Sequence, residues 1–435
     1  MARDVLQTKL QRDKDLRVLA TIFLEESAKA SIEDENDLKE AFTAFSFRIV
    51  DGYCFRTSKS VEDAERGLLR RAMDLLGGKH GNEKDASTAA WEAAAKHIQS
   101  GAKATDGDVN SLIANLTAHV DINVECILPN RLVVLEPSIS SVVIGPVKIE
   151  RASSVLTRLH GNAPQKTVFE VGGCPGDVQV VDGQLKVQVH PLCWSVDLSA
   201  APGNREEEAV WSIEVAVSLL RLSHQKATEF IPRIGDVEPH PVELMRSHNE
   251  LIVSKANGLT FGGRWVPARY LINSDVVSWL AADQIQKWTA AVFAPKKGSI
   301  AERVSVGLGW LSRARQALAR SERLLFGFTA IEALLASDDK SAPVVQAVSR
   351  HLAAILTDDN SKRIVHARDI RRWYDRRSAL VHLGRRDITR GVANAVQQVA
   401  EIAYHRVLTE LHPDLPTSDF HQTLSDASYG LAWPS

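Results

Sequence analysis

Between residues 371 and 386 the chain reads Arg-Arg-Trp-Tyr-Asp-Arg-Arg-Ser-Ala-Leu-Val-His-Leu-Gly-Arg-Arg, six arginines around one histidine. An arginine is permanently charged and offers a planar fork of donors to phosphate, while a histidine beside it exchanges protons near neutral pH. Together they suit an anionic substrate whose bonds break by proton transfer. Residues 361–390 hold ten basic and three acidic side chains, a local +7 in a chain of net charge −2, which leaves −9 on the remainder. An acidic body with one basic stretch holds polyanions locally instead of coating itself with them.

Within this stretch Arg377 and His382 enclose four residues, with Ser378 directly after the arginine. On spacing alone, a solvated arginine and a histidine packed beside the helix end at Gly384 are the better explanation of the pair. Arg371, Arg372, Arg376, Arg385 and Arg386 are either a solvated helix face or a grip on an RNA backbone. Trp373 and Tyr374 are the right residues to stack on a base or to fill a core. Further upstream, Ala330-Ile-Glu-Ala-Leu-Leu places Glu332 among apolar residues, where a carboxylate needs a partner. That partner is either an active-site arginine or a structural one.

Other chemistries lack their residues. The chain has no Gly-rich phosphate loop, HExxH pair, CxxC pair or Gly-x-Ser-x-Gly elbow. Cys54, Cys126, Cys174 and Cys193 are widely spaced, and His351 and His366 bring no set of partner ligands. We therefore expect no metal, no cofactor and reduced thiols. The first residues interrupt their apolar positions with charge every few steps, and no stretch reaches the roughly 18 apolar residues of a membrane span. A cytoplasmic protein is expected.

The elements that must position these residues follow from periodicity. At 435 residues and 44% apolar content, the chain suits two to four domains. Residues 1–115 read mainly as helices, with Phe45–Phe55 a short strand; near residue 117 the period shifts to two and residues 117–200 read as an antiparallel sandwich or barrel. In it, Asp182-Gly183 marks a two-residue hairpin. Residues 204–295 read as connecting helices and Pro/Gly-rich loops, and residues 413–435 as a tail. Between them, 300–412 reads as four amphipathic helices: 301–336, with Gly307 and Gly309 weakening its start, then 342–356, 367–383 and 392–411. The fold class is α+β and multidomain, ending in an all-α bundle.

The ordered set of Ala330-Ile-Glu-Ala-Leu-Leu on the first of these helices, Tyr374-Asp-Arg-Arg-Ser-Ala-Leu-Val-His-Leu-Gly on the third, and a long fourth helix resembles the HEPN domain, and within it the Apea-like subgroup. The likeness covers about residues 300–412. It departs from the pattern at Ser378, where many members carry Asn. The resemblance implies a dimer or higher homo-oligomer in which Arg377 and His382 of two copies meet in a composite cleft. It also implies a metal-independent endoribonuclease, with Glu332, Tyr374, Ser378 and Arg376 supporting and Arg371, Arg372, Arg385 and Arg386 contacting RNA. Prokaryotic Apea-like proteins are associated with defence against phage. Abortive infection through RNA cleavage, with tRNA a candidate substrate and a phage-derived trigger acting on the N-terminal domains, is the implied setting. The alternative is a HEPN module that binds RNA or scaffolds proteins without catalysis.

Overall fold

The computed structural model describes residues 2–32, 39, 41, 47–98, 103–118, 121–130, 132–162, 167–171, 178–181, 184–223, 251–255, 258–262, 270–317, 319–336 and 343–433. Two compact units emerge, one of residues 1–126 with 197–209, the other of 127–196 with 210–435. The described chain is mostly helical with small sheets, as an α+β class requires.

In the first unit α1 (Ala2–Arg12) and α2 (Lys14–Lys29) precede the short strand β1 (Ser31–Ile32). A hairpin follows, β2 (Phe47–Val50) and β3 (Tyr53–Arg56), where the sequence suggests one strand. Its two-residue turn is Asp51-Gly52, with φ of 49° and 84°; both positions are left-handed, as a type I′ turn demands. Helices α3 (Lys59–His80), α4 (Glu83–Ile98) and α5 (Asp106–Ala118) complete the unit's helices, and β4 (Asp121–Pro129) runs across the division. Asp13 caps α2 by accepting from Leu16 N at 2.8 Å and takes a two-pronged contact from Arg71, whose hydrogen bond holds the Asp13 carboxyl below the usual range. Trp91 centres the core, edge-on to Phe23 and Phe55 at 5.2 and 4.9 Å.

The second unit adds β5 (Val133–Leu135), β6 (Ser141–Ile144), β7 (Val147–Arg151), α6 (Ala152–Asn162), β8 (Thr167–Val171), β9 (Val178–Val181), β10 (Gln184–Val189) and β11 (Leu192–Ala200). These strands do not form one antiparallel sandwich. One sheet has the order β4-β11-β7-β6, a second the order β8-β10-β9. β8 lies parallel to β10, and β5 pairs in parallel with β14 (Tyr270–Ile272), beyond the expected β region. A period of two marks a strand but says nothing of its neighbour or direction. Asp182-Gly183 lies outside the described residues; β9 and β10 pair antiparallel, with Gln184 opposite Val181.

After α7 (Arg205–Leu222) come β12 (Leu251–Lys255) and β13 (Gly258–Gly262); within the expected Pro/Gly-rich connection of 204–295, residues 224–250, 256–257 and 263–269 lie outside the described residues. Then α8 (Ser274–Ala281) and α9 (Asp283–Phe293) lead into α10 (Ile300–Gln316), α11 (Arg320–Leu335), α12 (Val344–Leu356), α13 (Asn360–Leu383), α14 (Arg390–Glu410) and α15 (Thr417–Ser428). The expected single helix over 301–336 is thus two, joined through extended Ala317 and Ala319 and folded back so that Arg303 Nη1 reaches Ala336 O at 2.5 Å. The tail holds a helix of its own, with Phe420, Leu424 and Trp433 buried. Tyr404 of α14 is fully buried; its hydroxyl donates to Ala330 O at 2.7 Å and occupies the space a side chain at Gly307 would need.

Candidate functional site

α13 is the element on which the site depends. Asp359 caps its start, accepting from Ser361 N and Lys362 N at 2.9 and 3.3 Å. Its end closes on Gly384 at φ 65°, ψ 16°, whose N–H reaches Leu380 O at 3.1 Å while Arg385 N reaches Ala379 O at 3.3 Å. That left-handed cap stops the helix one residue after Leu383, directly behind His382. Near the start, Arg363 is buried and donates to Thr357 O, Ala427 O and Leu431 O at 2.7, 2.6 and 3.1 Å. This member of the basic stretch is therefore a structural tie to the C-terminal segment. Nothing in its sequence setting separates it from the arginines that follow.

Tyr374, Arg377 and Glu332 meet where α13 crosses α11. Glu332 Oε1 accepts from the Tyr374 hydroxyl at 2.5 Å, and Oε2 accepts from Arg377 Nη2 at 3.1 Å. The Arg377 guanidinium carbon lies 5.5 Å from the Tyr374 ring centre, and that ring stands edge-on to Phe328 at 5.2 Å. Burial, then the hydrogen bond and charge of Glu332, push the Tyr374 hydroxyl up to about 12, so it stays a donor. The Glu332 carboxylate thus fixes one arginine of α13 in direction; Nε of that arginine is buried without a hydrogen-bond partner, which leaves only the outer nitrogens to meet a ligand. Arg377 and Glu332 side chains are about one-fifth exposed, enough for a ligand to approach and shielded enough for the pair to hold its geometry.

His382 is exposed, one turn beyond the half-buried Ser378. Five residues along a helix amount to a rise of roughly 7.5 Å and a turn of about 140°. Arg377 therefore faces α11 while His382 looks outward from the same helix end. The two side chains thus leave the helix in different directions. Arg371, Arg372, Arg376, Arg385 and Arg386 are all exposed. Arg372 approaches Asp369 at 3.8 Å and Arg376 approaches Asp387 at 4.0 Å, long pairs in water that fix little. Val381 and Leu383, on either side of His382, are 48% and 66% exposed.

Elsewhere the first unit has a cleft of about 540 Å³ lined by Arg48, Glu62, Glu65, Arg66, Glu83, Lys84 and others. Its central carboxylate is already engaged, since Glu65 Oε1 accepts from Arg48, Ser87 and Trp91 at 3.0, 2.6 and 2.9 Å. Among the described residues no group of three or more His, Cys, Asp or Glu is placed to hold a metal ion. Among them, too, no helix is long and apolar enough to cross a membrane. No family model, curated protein or solved structure matches the chain.

Proposed function

We propose that the C-terminal bundle is a HEPN-type domain and that the chain is a metal-independent endoribonuclease acting as a homodimer or higher homo-oligomer, held in check by its preceding segments. The observation that carries this reading is the Glu332 clamp: a carboxylate set in the apolar last turns of α11 aims Arg377, on the helix that presents His382. Cleavage of RNA by its own 2′-hydroxyl needs a base for that proton, an acid for the 5′ leaving oxygen, and a cation for the phosphorane. A histidine's ordinary pKa of about 6.5 suits it to either proton transfer. Arg377 holds the nonbridging oxygens with the donors that Glu332 leaves available. Because Arg377 and His382 diverge on one helix, the second copy supplies the complementary pair. Arg385 and Arg386 extend the cationic surface along the RNA backbone. Anti-phage defence or toxin-type growth arrest, with tRNA among the substrates, is the setting in which such an enzyme would need its long N-terminal portion.

The 2′-hydroxyl is the nucleophile, so the products must carry 2′,3′-cyclic phosphate ends and a 2′-deoxy residue at the scissile step must block the cut. Ribo- and 2′-deoxy-substituted oligonucleotides incubated with the protein in chelator test this. Cleavage of the substituted strand at the same position would overturn it. A non-catalytic module is favoured by one observation, the apolar Val381 and Leu383 exposed beside His382, which suit a docking surface. Binding of RNA with both strands left intact would support that second reading.

A further inference from the structure

A separate concentration of charge lies where α10 gives way to α11 and where α14 begins. Arg320 and Arg323 sit in the first turn of α11, and Arg390 opens α14. α11 starts from Ala319 with no side-chain cap, so its first amides lack the acceptor that a Ser, Thr or Asp would supply. Arg323 is only 7% exposed. Its side chain leans back over this helix end, Nη2 donating to Ala317 O at 3.2 Å and Nη1 to Asn394 Oδ1 of α14 at 3.0 Å, while Nε is buried without a hydrogen-bond partner. The guanidinium therefore lies between the N-terminal turns of two helices, each the positive end of a dipole.

The neighbours make the charge worse. Burial, together with the positive charges of Arg315, Arg390 and Arg320, holds the Arg323 guanidinium below the ordinary arginine range. Arg315 is matched by Glu401 at 2.9 Å. Among the described residues no carboxylate pairs with Arg320, Arg323 or Arg390. The C-terminal carbonyl of α10 satisfies one N–H of Arg323 and leaves the net charge in place. Arg323 is thus a buried cation with one N–H unmet at the first turns of two helices, beside Arg320 and Arg390; Glu322 stands exposed in the same turn of α11 and Thr389 caps α14 at Val392 N, 3.3 Å away. Such conflicts of charge gather at binding sites. Gly391, exposed in the first turn of α14, has open space where a Cβ would stand, so the backbone there can be approached closely.

We propose that the N-terminal turns of α11 and α14, with Arg320, Arg323 and Arg390, form a binding site for a phosphomonoester dianion. Arg320 and Arg390 are exposed and grip the ligand; the uncapped amides of α11 complete the cradle, and Arg323 supplies charge from beneath. With Glu322 in the same turn, the three arginines leave a local excess of two positive charges, which a monoester, close to doubly charged at neutral pH, answers better than the single charge of a diester. The site does not depend on His382 being catalytic.

Thermal unfolding of the wild-type chain and of Arg320→Gln/Arg390→Gln, in sodium phosphate and in chloride of equal ionic strength, tests the site. Wild type should gain about 2–3 °C at ten times Kd, and the double variant should need at least about tenfold more phosphate for the same gain. No gain beyond chloride, or an equal gain in both proteins, overturns the proposal. The source follows from binding of 5′-AMP and of 5′-phosphorylated and 5′-hydroxyl oligoribonucleotides to His382→Ala protein. Preference for the phosphorylated oligonucleotide over AMP assigns an RNA end, and equal or tighter AMP binding assigns a small phosphomonoester. If neither AMP nor the 5′-phosphate is bound over its hydroxyl counterpart, there is no phosphomonoester site.

Discussion

Single ionisable side chains in the bundle have measurable tasks whether or not it cleaves RNA. Glu401 is 3% exposed and takes hydrogen bonds from Arg315 and Gln397, both at 2.9 Å. Glu401→Ala leaves the buried Arg315 without that carboxylate and should lower unfolding stability by about 3–5 kcal/mol in urea titrations. His351 tests the opposite case, a group better buried neutral. Burial, then the nearby His421, push its pKa down to about 4, and its Nδ1 has no hydrogen-bond partner. The folded pKa lies below the unfolded value near 6.5, so the unfolded chain binds more protons between the two. Stability contributed by neutral His351 is whole above about pH 6.5 and drains away as pH falls toward 4. Wild type should therefore lose more stability between pH 7 and pH 5 than His351→Gln, by on the order of 1–2 kcal/mol; parallel pH profiles would contradict this. Glu332 was legible from the sequence as a carboxylate needing a partner, because an acid in an apolar run has few ways to survive. That Arg363 is a structural tie was not legible, because its partners are backbone carbonyls far along the chain.

At the scale of elements, the sequence announces helices well and their reversals poorly. α12, α13 and α14 follow the three- and four-residue rhythm of their apolar residues, and α13 begins about two turns earlier than its rhythm because Asp359 supplies a cap. The break between α10 and α11 carries neither Gly nor Pro among its described residues, so a reading by period runs straight across it. What supports the reversal is tertiary: Arg323 ties Ala317 O, and Arg303 ties Ala333 O and Ala336 O at the far end of the hairpin. Likewise Gly307, which looks like a weak point in α10, is where the Tyr404 hydroxyl enters, 1.4 Å from where a Cβ would stand. Gly307→Ala should cost about 1–3 kcal/mol in thermal or urea unfolding, despite the higher helix propensity of alanine. A stability gain would show that α10 and α14 can part without loss. The Asp51-Gly52 turn carries the same dipeptide signal as Asp182-Gly183 and shows that the strand between Phe45 and Phe55 is a hairpin.

For the whole molecule, composition and period suffice for an α+β class and fall short of the arrangement. The compact units run through β4, β11 and α7, because segments distant in sequence complete each other's cores, a relation no local pattern carries. The parallel pairing of β5 with β14, separated by more than a hundred residues, belongs to the same class. What local pattern does carry is the candidate cluster, because Tyr374 and Arg377 lie on one helix and meet Glu332 from another. The most direct measurement is cleavage of total RNA in chelator by purified wild type and His382→Ala. A catalytic His382 predicts that wild type cuts and that the variant is slower by roughly two to four orders of magnitude, with both proteins unfolding at the same temperature because the side chain is exposed. Equal cleavage by both, or none by wild type even with its physiological trigger present, would contradict it.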